Sequence, residues 1–215
     1  MCDDFPLKDW TKEQADESYQ QLIVLNVNKY EYSLAGNKAL DFYFYKYRLK
    51  TKSGKWSHYE AWCDKEQRAT IIKAWCSLYK KECAKGDKPK PTDLRSTMEM
   101  KYGSVNQFRP SVAKFLYHKY KPTSILDFSA GWGGRLLGAM SLDINYIGID
   151  GNKKLATPYR ETVKNFPSKS KVKMIFKKSE TVDFSKYDYD MVLTSPPYNT
   201  TEIYEGMKLY EDWYE

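Results

Sequence analysis

The stretch that most constrains the fold is Ile125-Leu126-Asp127-Phe128-Ser129-Ala130-Gly131-Trp132-Gly133-Gly134-Arg135. Apolar residues suited to a buried strand run into a turn rich in glycine, and a helix is expected from Gly133 to Ser141. Glycine is needed where backbone turns sharply or approaches a ligand without a Cβ in the way. The NH-rich start of the following helix favours a ligand carrying negative charge. This is the pattern of a nucleotide-type site in an α/β fold. No Gly-Lys-Ser/Thr follows, so it is not a Walker phosphate loop. A tight strand-to-helix turn without a ligand is the competing interpretation.

The surrounding residues extend the pattern. Gln107 to Tyr120 is predicted as an amphipathic helix with Pro110 in its first turn. Strands are expected at Ser124 to Phe128, Ile144 to Ile149, Val172 to Phe176 and Tyr189 to Leu193. A helix through Tyr159 to Asn165 falls between the second and third. Strands alternating with helices imply a Rossmann-like, doubly wound parallel sheet. The second strand ends in Asp150, placed to accept both hydroxyls of a ribose. Strand-terminal Asp also serves as a helix cap, so the spacing after the glycine turn carries the argument.

The front of the chain looks different. Lys85-Gly86-Asp87-Lys88-Pro89-Lys90-Pro91-Thr92-Asp93 is a solvated break, dividing a module over 1–92 from a domain over 93–215. Thr11-Lys12-Glu13-Gln14 is a capping box opening a short helix. Strands are expected at Leu22 to Tyr32, Leu40 to Lys50 and Trp56 to Cys63, then a helix over about Asp64 to Ala84. The expected module is therefore a small α+β hairpin and helix. Its aromatic and basic residues (Tyr43, Tyr45, Lys46, Tyr47, Arg48, Trp56) fit either a nucleic-acid stacking surface or a half-buried sheet packed on the helix.

The third motif is Asp190-Met191-Val192-Leu193-Thr194-Ser195-Pro196-Pro197-Tyr198. Two prolines fix φ near −65° and remove two N–H donors, leaving rigid acceptors at a strand end. Such a device suits a substrate that donates hydrogen bonds, such as an exocyclic amine. The Ser195 hydroxyl oxygen and the Pro196 carbonyl accept its two N–H bonds and draw nitrogen toward tetrahedral geometry. Oxygens fixed in advance stabilise the positive charge that nitrogen gains. Tyr198 supplies a ring to stack on a flipped base. A proline-rich loop with no such role is the alternative.

Together these residues resemble the amino-group DNA methyltransferases, whose signature joins a (Ser/Asn/Asp)-Pro-Pro-(Tyr/Phe/Trp) tetrapeptide to a glycine-rich cofactor loop. The resemblance covers about residues 105–215. It implies a class I methyltransferase fold and S-adenosylmethionine as cofactor. By resemblance, Ser195, Pro196, Pro197 and Tyr198 match the catalytic motif. Asp127, Ser129, Ala130, Gly131 and Gly133 match the cofactor loop, and Asp150 matches the ribose-binding acid. Gln107-Phe108-Arg109-Pro110 is similar to the motif that holds the methionine end, which makes Arg109 a cofactor-binding candidate. Glu180 corresponds to the residue near the adenine amine. Serine in the first position is commonest in the branch acting on cytosine N4, whereas Asn or Asp is commoner in the adenine N6 branch. Methylation at cytosine C5 needs a cysteine after proline, and none occurs here. The family adds three more strands and a target-recognition region, yet only 17 residues follow Tyr198. A missing C-terminal region or a second chain is therefore expected to complete the fold. Methylation of an RNA base amine such as guanine N2, or an inactive nucleic-acid-binding protein of this fold, are the alternatives.

Charge agrees with a polyanionic partner. The net charge is +7, and residues 101–201 carry 16 Lys or Arg against 8 Asp or Glu. DNA is the expected partner, with RNA second and a membrane excluded, since no apolar run approaches the roughly 20 residues of a span. A restriction-modification setting would suit such an enzyme. Cys2, Cys63, Cys76 and Cys83 lack metal-ligand spacing, and His58 and His118 are the only histidines. Free thiols, no metal site and an intracellular location, cytoplasm or nucleoid or nucleus, are the expectation.

Overall fold

A computed structural model describes residues 5–7, 9–28, 33–52 and 54–196. Their contacts divide into two compact units. One comprises described residues of 10–46 and 107–196, the other those of 5–9 and 47–106.

The first unit holds a four-stranded, all-parallel sheet: β1 (Ser124–Asp127), β2 (Asn145–Ile149), β3 (Val172–Ile175) and β4 (Met191–Val192), in the order β3-β2-β1-β4. An α/β fold with an all-parallel sheet is thus present, compatible with the Rossmann-like arrangement expected. Its order reverses between β1 and β4, the point where open α/β sheets form a crevice beyond the strands' carboxyl ends. Register pairs Ile125 with Tyr146 and with Met191. Alternation therefore sends Asp127 and Tyr146 to one face and Leu126, Ile147 and Ile149 to the other. Helix α7 (Pro110–Tyr120) precedes β1, α8 (Gly134–Met140) joins β1 to β2, and α9 (Ala156–Asn165) joins β2 to β3. The second apolar face is covered by Phe128, Val182, Phe184 and Tyr187. Val192 on β4 stays 48% exposed.

Helices α1 (Lys12–Val24) and α2 (Asn37–Arg48) begin in the front of the chain, yet α1 and most of α2 belong to this sheet unit. The capping box at Thr11 is present. Lys114 on α7, almost fully buried, donates from Nζ to the carbonyls of Leu22 and Ile23 at 2.7 Å and of Leu25 at 3.1 Å. It satisfies the last carbonyls of α1, which has no base in its own final turn. The rings of Tyr19 and Tyr43 pack on Phe166.

The second unit contains α3 (His58–Cys63), α4 (Lys65–Leu78), α5 (Lys80–Ala84) and α6 (Pro91–Tyr102). Its core joins Trp62, Ile71, Trp75, Leu94 and Met98.

Several expectations for the front part are corrected. Of the strand expected over Leu22 to Tyr32, Leu22 to Val24 closes α1 and residues 25–28 are not extended into a ladder, while 29–32 lie outside the described residues. Leu40 to Lys50 is the body of α2. Leu40, Phe44, Tyr45 and Leu49 are buried at helical spacing. Five of the six positions from Phe42 to Tyr47 are aromatic, so periods of 2 and 3.6 both fit. Trp56 to Cys63 is not a strand either: Ser57 and Glu60 form a second capping box that opens α3. Among the described residues no strand precedes Ser124, so what is described of the expected α+β module is helical. The break at 85–93 is partly helical, since Pro91 stands in the first turn of α6. The boundaries at 92 and 93 likewise give way to the division above. Cys76 and Cys83 are not free thiols but form a disulfide with Cα atoms 5.2 Å apart. An unbroken helix would set residues seven apart about 10 Å from each other. The interruption at Tyr79 between α4 and α5 closes that distance. Cys63 is free and exposed. No helix among the described residues is long and apolar enough to cross a membrane.

Candidate functional site

The carboxyl ends of β1 and β4 lie side by side because the strands are parallel and paired. The glycine turn leaves one and Thr194-Ser195-Pro196 leaves the other. Leu193 N donates to Leu126 O at 3.1 Å. One residue further, the hydroxyls of Ser129 and Thr194 meet at 2.5 Å. Ser195 and Pro196 therefore stand at the same end of the sheet as the turn. Pro197 and Tyr198 lie outside the described residues.

The turn is built on two left-handed glycines, Gly131 at φ +61° and Gly133 at φ +78°. A Cβ at Gly131 would meet only Ser129 O, at 3.7 Å, so the space over that residue is open. Elsewhere the backbone is closely overlaid. A Cβ at Gly133 would come within 3.1 Å of the Phe44 ring, and one at Gly134 within 1.8 Å of Phe108 O. The segment of Phe108 and Arg109 is thus brought against the turn, with Arg109 capping α7 through its backbone. Gln107 Oε1 is buried without a hydrogen-bond partner. Helix α8 has seven residues, so the electrostatics of the turn rest on its own amides more than on a macrodipole.

Each side of the turn is tied down. Ala130 N donates to Ile149 O at 2.9 Å. Gly131 N donates to Asp150 Oδ2 at 2.7 Å, and Asn152 N donates to Asp150 Oδ1 at 2.8 Å. Tyr159 OH donates to Gly131 O at 2.9 Å. Burial holds the Asp150 carboxyl above the ordinary carboxylate range, although both amide bonds pull the other way. Each Asp150 oxygen accepts one bond and keeps a second lone pair for a hydroxyl.

Asp127 does something different from the expected cofactor contact. It is fully buried, and its Oδ2 accepts from Arg135 Nε at 2.6 Å and from Tyr146 OH at 2.5 Å. Its Oδ1 accepts from Ser129 N at 3.3 Å. Arg135 also donates from Nη2 to Ser129 O and lies 5.0 Å from the centre of the Phe108 ring. Burial opposes the Arg135 charge, but the Asp127 carboxylate outweighs it and holds the guanidinium protonated. Asp127 thus supports the turn from beneath. Glu180 is exposed in a 3₁₀ turn after β3 and accepts from Ser179 Oγ at 3.3 Å. It stands apart from the bonds around the glycine turn.

Sequence reasoning missed Arg135, Tyr146, Tyr159 and Thr194. Arg135 sat inside the glycine motif, and a charge placed on a helix expected to be apolar was the one signal for it. The tyrosines gave none, because their hydroxyl partners come from other strands and turns. A ribose-bearing ligand with a polar tail fits this set: an open glycine cradle, a carboxylate with spare lone pairs and an unpartnered buried acceptor nearby. No family model, curated protein or solved structure matches the chain.

Proposed function

We propose that the chain transfers a methyl group from S-adenosylmethionine to an exocyclic amine of a DNA base, cytosine N4 ahead of adenine N6. The observation that carries the proposal is the meeting of the glycine turn and the Ser195-Pro196 strand end across the Ser129–Thr194 hydroxyl contact. On this reading the sheet is the first half of a class I methyltransferase. Gly131, Gly133 and Ala130 would cradle the cofactor, Asp150 its ribose, and the Gln107–Arg109 segment its amino-acid end. When bound, S-adenosylmethionine supplies an electrophilic methyl group.

The chain's own contribution is to make a poor nucleophile competent. The base amine's lone pair is delocalised into its ring. Ser195 and the Pro196 carbonyl accept the two N–H bonds and favour tetrahedral nitrogen, freeing that pair. The positive charge arriving on nitrogen meets oxygens already in place, so little reorganisation is needed. The amine then loses a proton to solvent. The excess of Lys and Arg over 101–201 favours a nucleic-acid backbone nearby.

The test is methyl transfer from labelled S-adenosylmethionine to DNA and to RNA, with the products resolved as nucleosides by mass spectrometry. N4-methylcytosine is expected. A methylated guanine from RNA would move the substrate assignment, and no methylated nucleoside from either would reject it. Ser195→Ala is expected to lose turnover while calorimetric cofactor affinity is retained. Asp150→Ala is expected to abolish cofactor binding.

A further inference from the structure

Among the described residues strand β4 has two residues in its ladder with β1, and the last backbone bond between them is Leu193 N to Leu126 O. Beyond that bond the chain runs through Thr194 and Ser195 into two prolines. Proline has no N–H, so the two residues after Ser195 cannot donate to any neighbouring strand. A two-residue strand continued by such a segment has little backbone means of fixing where the Ser195 and Pro196 oxygens sit. A side chain must do it.

We infer that Thr194 is a positioning residue that sets the spacing between the acceptors at Ser195-Pro196 and the ligand cradle at Gly131. Its hydroxyl meets Ser129 Oγ at 2.5 Å. Ser129 is itself held at three points: its N–H donates to Asp127 Oδ1, its carbonyl accepts from Arg135 Nη2, and its hydroxyl takes the Thr194 bond. Asp127 is fixed in turn by Arg135 Nε and Tyr146 OH. The buried ion pair is therefore the anchor, Ser129 the joint, and Thr194 the arm that carries the strand end. Because Ser129 lies two residues before Gly131, occupation of the cradle is felt at Thr194 through two peptide units. The contact works in both directions: it orients the acceptors and reports ligand binding to them. A displacement of the order of 1 Å between reacting groups is worth about a hundredfold in rate, so this one hydroxyl has leverage on turnover.

The inference rests on the proposed cofactor site, and the experiment separates the two. Thr194→Val removes the hydroxyl at nearly constant volume, and Thr194→Ser keeps it. Hydrogen exchange is measured at the 193–195 amides with and without S-adenosylmethionine, together with calorimetric affinity, thermal midpoint and, where methyl transfer is seen, kcat and KM. In the wild type and in Thr194→Ser, cofactor is expected to slow exchange at these amides. In Thr194→Val that slowing is lost, kcat falls by about ten- to a hundredfold, and affinity and midpoint stay close to wild type. Equal slowing in Thr194→Val, or a loss of affinity and midpoint in step with kcat, overturns the inference. A wild type that gives no binding heat rejects the cofactor site itself, and the inference falls with it. A wild type that binds cofactor but methylates nothing rejects only the substrate, and the exchange data still decide.

Discussion

Each of the two units has an apolar core, but they differ in what else they bury. In the helical unit the centre is apolar, with Trp62, Ile71, Trp75, Leu94 and Met98 packed together and a disulfide pinning α4 to α5. In the sheet unit the strand ends surround a fully buried Asp127, a buried Arg135 and the hydroxyls of Tyr146 and Tyr159. Burying an ion pair seldom stabilises more than an apolar core of the same size would. Every bond in that network leads to the glycine turn or to its neighbour Ser129. The contrast teaches that the helical unit uses its interior for packing alone, whereas the sheet unit, apolar on its other face, also uses part of its interior to hold a loop in shape.

The largest effect is expected where that network is broken on one side. Asp127→Ala leaves Arg135 charged and buried, at a cost of about 3–5 kcal/mol in urea unfolding. The paired change Asp127→Leu with Arg135→Met should recover most of the stability but not cofactor affinity. If the pair restores affinity too, the network is scaffolding only and the contrast with the helical unit disappears.

A smaller effect belongs to the other unit. Reducing Cys76–Cys83 opens a short loop, worth about 2–3 kcal/mol by chain entropy. Loss of amide protection is expected in α4, α5 and α6, while β1 and β2 keep theirs. Loss of protection in the sheet at the same reductant concentration would show that the two interiors are not independent.

The smallest concerns the amino end of the sheet. Asp190 accepts from Thr123 N, Thr123 Oγ1 and Ser124 N at 2.8 to 3.0 Å, pinning β4 to β1. The Ser124 amide first, then Thr123, hold its pKa below the ordinary 3.8. Stability from this pin is complete above that value and lost as pH falls through the lowered one. Asp190→Asn should cost about 1 kcal/mol at neutral pH and flatten the acid limb of the stability curve. Asp150 acts in the opposite sense. Its carboxyl is raised by burial, so its contribution is complete in acid and is lost as pH rises through the raised value.

The sheet was legible because its signals are local and redundant. β1, β2 and β4 are short apolar runs bounded by proline or aspartate, and the glycine turn fixes which strand leads into the site. The front was illegible for the opposite reason: in Leu40 to Lys50 aromatic residues fill both faces of any periodicity, so burial alone decides, and burial is tertiary. Its best local clue, Ser57 with Glu60, was a capping box of the same kind as Thr11 with Gln14. At the site, Asp127 and Asp150 looked alike in sequence, each an acid at a strand end. Only Arg135 and Tyr146, eight and nineteen residues further on, divide their roles.

Lys114 carries a consequence for how the chain assembles. A helix of thirteen residues is marginal in water by itself, and the charge that completes α1 arrives about ninety residues later. During synthesis α1 emerges long before its cap. The carbonyls at its end then wait on α7, so this helix is secured only after a segment about ninety residues later has been made.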